Sequence, residues 1–202
     1  GPTSISAPFT KASWAVIEPE HLPHAVERAL RVAKTPPVGP VHLAVYDRLL
    51  NSGPVTARIA DGPIPESRAG HPDGRDVEEL TRALHDATRP LIYAGDGVWK
   101  SGAIAQLTAL AEHFGVPITG YQPSVPFAHP LHCGAPQQAA AAVDPDFMIA
   151  IGVRHTGGGG VNDFAPFATV DRIMAIGPDV RNLKGIPGID LAILADERRT
   201  LE

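Results

Sequence analysis

The feature that most constrains the fold is an alternation of short apolar runs with helix-like segments from residue 76 onward. The predicted strands lie at 90–94, 117–120, 147–151, 171–176 and 191–194. The predicted helices lie at 76–87, 102–114 and 137–142. Parallel strands need crossover connections, so this alternation predicts an α/β fold: a doubly wound, Rossmann-like parallel sheet of about six strands with helices on both faces.

The first 75 residues are organised differently. Residues 3–17 are predicted to be irregular or extended, a helix is predicted at 20–34, and a short buried strand at 41–45. Residues 51–75 are rich in Pro, Gly, Ser, Asp and Arg, which is typical of a linker. The sequence thus predicts a tail (1–50), a linker (51–75) and an α/β domain (76–202).

The predicted strand at 41–45 has no evident sheet neighbours in this sequence. An unpaired strand edge exposes backbone donors and acceptors that favour pairing with another chain. We therefore expect association, either with further copies of the chain or with different subunits.

Composition excludes several classes of partner. A net charge of −5 provides no basic face, so no nucleic-acid partner is expected. No apolar run approaches the roughly 18 residues that a membrane span requires. Cys133 is the sole cysteine, which rules out an internal disulfide and fits a cytoplasmic protein.

The triplet Gly95-Asp96-Gly97 follows a predicted strand, where nucleotide-binding loops occur. A dinucleotide fingerprint needs a third glycine three residues on, but the next glycine is Gly102, two positions late. A magnesium and thiamine diphosphate motif needs an asparagine some 25–30 residues later, and none lies there. Two interpretations remain, a phosphate cradle or a tight strand-to-helix turn.

Three other groups of residues are candidate sites. Gly152 and Arg154 follow a predicted strand, where the arginine meets either an anionic ligand or a local carboxylate such as Asp163. His129, His132 and Cys133 lie close in sequence, but a metal or nucleophile site needs further convergent groups, so a structural or surface role is predicted. The run 157–160 of four glycines is predicted to be a loop.

Several segments resemble one family in the family's own order. The longest are RPLIYAGDGVWKSGAIAQLTALAEHFGVPI, PFAHPLHCG, DPDFMIAIGVRHTGGGGVNDFAPFATVDRIMAIGPD and LAILADERRTLE. Together they resemble the central domain of the acetolactate synthase-like thiamine diphosphate enzymes. Upstream, TKASWAV and TPPVGPVHLAVYDRLL resemble the end of that family's pyrimidine-binding domain.

The resemblance implies a scaffold domain of a carboligase or decarboxylase that acts on 2-keto acids. It also implies that the catalytic glutamate and the GDG…NN motif lie in other domains, on the same or a separate chain. We therefore expect no catalytic or metal-binding residues here, with thiamine diphosphate and Mg²⁺ bound only in the complete, oligomeric enzyme. The alternative is a non-catalytic nucleotide-binding or structural domain.

The resemblance also points to residues that bind a nucleotide in some members. Gly95, Gly97, Gly152 and Arg154 match the family pattern, as do two acidic positions, Asp179 and Asp196. Two positions depart from it, because Asp96 replaces a glycine and Gly177 replaces an aspartate. A carboxylate at position 96 either repels a diphosphate, which argues against FAD or ADP as a ligand of this chain, or faces the ribose of such a nucleotide.

Overall fold

The structure is a computed structural model that describes residues 1–65, 67–121, 125–154 and 164–202. It divides into two compact units, Gly1–Ala69 and Gly70–Glu202, and each is described by itself. The predicted glycine loop at 157–160 lies outside the described residues. No helix in the described ranges has the length and apolar character that a membrane crossing requires.

The N-terminal unit contains a β–α–β arrangement. Its elements are α1 (Pro2–Ser6), β1 (Ala12–Val16), α2 (Leu22–Lys34), β2 (Val41–Val45) and α3 (Asp47–Leu50). Short 3-10 helices lie at Ala7–Phe9 and Pro19–His21. β1 and β2 pair in parallel, and α2 provides the crossover between them.

Two predictions for this unit were wrong. Part of 3–17 is helical rather than irregular, in α1 and the 3-10 helix that follows it. The strand at 41–45 also has a neighbour within its own unit, because β1 pairs with it along its whole length. This pairing is stabilised on one face by apolar contacts among Val16, Leu43 and Ala25, the last from α2.

The C-terminal unit alternates helices and strands as predicted. Its elements are α4 (Gly74–Asp86), β3 (Pro90–Ala94), α5 (Asp96–Lys100), α6 (Ile104–Phe114), β4 (Ile118–Thr119), α7 (Pro136–Val143), β5 (Phe147–Ile151), β6 (Arg172–Gly177), α8 (Val180–Leu183), β7 (Ile189–Leu194) and α9 (Glu197–Leu201). A 3-10 helix lies at Ala165–Phe167.

The α/β fold class is confirmed. In the described part of the chain the sheet has five parallel strands, where about six were predicted, in the order β4-β3-β5-β6-β7. Alternate residues of β3 enter two separate buried clusters: Ile92 packs with Leu84 and Leu107, whereas Tyr93 packs with Phe167. The sheet is thus covered on both faces, as a doubly wound fold requires.

The strand order places a topological switch point between β3 and β5. From β3 the chain crosses to β4 on one side, and it later returns to β5 on the other. Connections leave the sheet in opposite directions there, which opens a crevice at the carboxyl ends of the two strands. Ligands of doubly wound domains bind in this crevice, so it is the place to look for a site.

Candidate functional site

Glycines close the crevice by direct backbone contact. The Gly97 N–H donates to the Gly152 carbonyl at 2.9 Å, and the Gly95 N–H donates to the Ile151 carbonyl at 2.9 Å. A Cβ on Gly97 would lie 2.5 Å from the Gly152 Cα, and one on Gly95 would lie 2.6 Å from the Val153 Cα. These glycines are therefore required because the chain packs against itself, whether or not a ligand binds.

Asp96 lies at the start of α5 and is only 4% exposed. Its carboxylate accepts hydrogen bonds from Arg154, whose Nε lies 3.0 Å from Oδ1 and whose second guanidinium nitrogen reaches Oδ2. The Lys100 ammonium, one helical turn further on, lies 2.5 Å from the same Oδ2. The two cationic partners offset the cost of burying this carboxylate.

This geometry gives Arg154 a carboxylate partner. The arginine was expected to meet either an anionic ligand or a local carboxylate, and the structure pairs it with Asp96. The carboxylate expected to repel a diphosphate is itself the anion between the two cations. We refer to Asp96, Lys100 and Arg154 as the switch-point triad.

The triad predicts a measurable role for Lys100 in stability. Replacing Lys100 by Met removes one partner of a buried carboxylate, and we expect a loss of about 1–2 kcal/mol in the free energy of unfolding. The loss stays in this range because Arg154 still contacts Asp96. Urea denaturation of the variant and of the unmodified chain gives the difference.

A second i,i+4 ion pair supplies a matched control. Arg198 on α9 contacts Glu202, the residue that follows this helix, at 2.9 Å, and both side chains are about half exposed. Arg198→Met should cost less than about 0.5 kcal/mol, since exposed pairs contribute little. Equal losses in the two variants would contradict the assignment of Lys100 to a buried ion pair.

Glu197 is a second buried carboxylate at this edge of the sheet, and it is 3% exposed. It opens α9 and lies near Gly177, with a Cβ on that glycine falling 4.0 Å from its Oε1. Burial raises its pKa to about 7, the carboxylates of Asp196 and Asp96 add to the rise, and hydrogen bonds from its own N–H and from Ser101 oppose it. Glu197 therefore also belongs to the switch-point crevice, together with Asp96 and Ser101.

Asp179 and Asp196, both predicted to bind a nucleotide, cap helices. Asp179 accepts from the Arg181 N–H at 2.9 Å and pairs with its guanidinium at the start of α8. Asp196 accepts from the Arg199 N–H at 3.1 Å at the start of α9. Both roles satisfy helix donors that lack an intrahelical partner.

The histidines and the cysteine do not form a nucleophilic constellation among the described residues. The Cys133 thiol donates to the Ile118 carbonyl at 3.2 Å, and burial raises its pKa, which disfavours the thiolate. His129 Nε2 contacts Glu112 at 3.2 Å, and the His132 ring packs edge-on against Phe127. These contacts hold the three side chains within the fold.

Lys100, Ser101 and Glu197 belong to the site but were not singled out from the sequence. One signal was present for Lys100, because Asp96 and Lys100 have the i,i+4 spacing of a helical ion pair. Nothing in ADERR signals burial of Glu197, since an acidic residue in the first turn of a helix is usually solvated.

The described residues do not fit a thiamine diphosphate and magnesium site. No group of three or more His, Cys, Asp or Glu in the described ranges is arranged to hold a metal ion. The crevice does not fit a dinucleotide pyrophosphate either, because the buried carboxylate of Asp96 lies between the two cations. These contacts join the carboxyl ends of β3 and β5 to the start of α5.

These features define a doubly wound α/β domain whose switch point is closed by its own chain. Residues 77–202 match the family described as thiamine pyrophosphate enzyme, central domain, and the chain belongs to that family. This match confirms the resemblance drawn from the sequence motifs.

Relatives cover most of this chain but exceed it in length. Acetolactate synthase large subunit from Corynebacterium glutamicum is 29% identical over an alignment 209 residues long, with gaps, that covers 98% of this chain and 33% of that protein. Sulfoacetaldehyde acetyltransferase from Castellaniella defragrans is 30% identical over an alignment 156 residues long that covers 72% of this chain and 25% of that protein. The chain spans about a third of the acetolactate synthases that it matches.

Solved structures show the same fold. Benzoylformate decarboxylase from Polynucleobacter necessarius superimposes with a TM-score of 0.79 at 20% identity, covering 99% of this chain and 39% of that one. At this identity the likeness concerns the fold alone.

Proposed function

We propose that this chain is the central, scaffolding part of a thiamine diphosphate-dependent carboligase or decarboxylase that acts on 2-keto acids. The observation that carries the proposal is the alignment of 98% of the chain with one third of an acetolactate synthase large subunit. The remaining two thirds of such an enzyme would supply the catalytic glutamate and the magnesium and diphosphate ligands. The cofactor supplies the decarboxylation chemistry, and this chain positions the domains that hold it.

The surface of the N-terminal unit supports a scaffolding role. Large apolar side chains are exposed there, among them Phe9, Leu50 and Ile59. A groove of about 520 Å³ also lies between α2 and residues 59–65, lined by apolar residues including Val26 and Leu30. An apolar groove of this kind is typical of interfaces, and further domains of the enzyme would cover it.

Reconstitution tests the proposal. The purified chain is incubated with thiamine diphosphate, Mg²⁺ and pyruvate or benzoylformate, alone and together with polypeptides that carry the other domains of the enzyme. We expect carbon dioxide release only in the reconstituted mixture and only when thiamine diphosphate is present. A stable, folded complex that releases none from a broad panel of 2-keto acids would refute the catalytic proposal and favour the alternative, a structural domain.

A further inference from the structure

We propose that the crevice at the β3/β5 switch point is an anion site that the chain fills with its own carboxylate. Asp96 occupies the place between Arg154 and Lys100 that a diphosphate group would take. The native chain then binds no diphosphate there, and removing the Asp96 carboxylate creates a site for one. This inference does not depend on the proposed catalytic function.

Position in the fold is the first argument. Asp96 and Arg154 follow the two strands that flank the switch point, two residues beyond Ala94 and three beyond Ile151. Crevices at switch points of doubly wound sheets are where these folds bind anionic ligands. The triad therefore lies where an anion would be expected.

The charges are the second argument. A guanidinium and an ammonium converge on one carboxylate, with contacts to both of its oxygens. Arg in particular matches the geometry of both carboxylate and phosphate oxygens, so the partner that holds Asp96 can also hold a phosphate. The two cations and one anion leave a net charge of +1 within the triad.

Accessibility is the third argument. The Asp96 side chain is 5% exposed, whereas those of Arg154 and Lys100 are 51% and 24% exposed. The cations thus reach solvent while the carboxylate fills the space behind them. Once the carboxylate is removed, an anion from solution can approach the same two groups.

The test compares Asp96→Gly with the unmodified chain in thermal unfolding with inorganic pyrophosphate, ADP or adenosine. We expect pyrophosphate and ADP to raise the melting temperature of the variant, and adenosine to have no effect. At about 100 times the dissociation constant the folded-to-unfolded ratio rises roughly 100-fold, a shift of several degrees. The unmodified chain should show no shift with any of the three.

Two further variants keep the test decisive. Asp96→Asn removes the charge but keeps the volume, so it should fold and should bind pyrophosphate more weakly than Asp96→Gly. Asp96→Gly combined with Arg154→Met should lose the gained shift, because the main phosphate donor is gone. The proposal is overturned if the unmodified chain is stabilised by pyrophosphate or ADP, or if neither Asp96 variant gains any shift.

Discussion

Gly152→Ala should destabilise the chain by about 4 kcal/mol or more, the largest effect we expect from a single methyl group in this protein. Gly152 has a φ of +61°, and a Cβ there would lie 2.7 Å from the Val98 nitrogen and 2.8 Å from the Gly97 Cα. Both neighbours are backbone atoms, which cannot rotate away as a side chain can. The added methyl group must push the end of β5 away from the start of α5. This movement also breaks the hydrogen bond between Gly97 and Gly152.

Gly115→Ala is the matched control, because it separates backbone strain from steric contact. Gly115 ends α6 with a φ of +67°, and nothing lies within 4 Å of a Cβ built on it. Its replacement should cost about 1 kcal/mol, the usual penalty for a left-handed non-glycine residue. Urea denaturation of both variants measures the difference, and similar losses would contradict the close approach described here.

The strands of the C-terminal unit could be predicted from the sequence nearly to the residue. β3 and β5 lie at 90–94 and 147–151 as predicted, since each is a continuous apolar run buried on both faces. β7 begins at Ile189, two residues before the predicted start at 191. The prediction missed these two residues because the polar Asp190 interrupts the apolar pattern of the strand. Local patterns suffice where burial alone determines the element.

Elements that depend on distant partners could not be predicted in this way. α5 is only five residues long and contains a glycine, so neither length nor propensity indicates a helix. β1 forms because it pairs with β2, some 29 residues later along the chain, and its own sequence carries little strand signal. In both cases tertiary contacts decide the local structure.

The candidate site also combines features that a local sequence pattern predicts with features that depend on distant residues. The sequence located the switch-point residues Gly95, Asp96, Gly97, Gly152 and Arg154, and the structure brings all five together. It did not predict that Asp96 would pair with Arg154, because residues 58 apart meet only once the strand order is known. Asp179 and Asp196 had a plainer explanation in the sequence, since aspartate is a preferred N-cap residue.

Glu197→Gln should stabilise the chain at neutral pH by up to about 3 kcal/mol and leave it unchanged in acid. Burial raises the pKa of Glu197 from 4.5 to about 7, so the folded state holds a proton that the unfolded state has released between these values. Below pH 4.5 the residue is neutral in both states and costs nothing. Between pH 4.5 and about 7 stability falls as the pH rises, because the unfolded state releases a proton that the folded state keeps, and above about 7 the loss levels off.

The free energy of unfolding of both proteins, measured from pH 4 to 8, gives this contribution as the difference between the two curves. Histidines and other groups that titrate in the same range cancel in that difference. Glu202→Gln, just after the same helix, is the control: its side chain is half exposed, and its curve should follow that of the unmodified chain. Parallel curves for Glu197→Gln and the unmodified chain would mean that Glu197 ionises in the folded state as readily as in the unfolded one. A gap that widens from pH 4.5 to about 7 and then levels off would instead show that the fold keeps the proton on Glu197, because burial beside the carboxylate of Asp96 disfavours a second charge there.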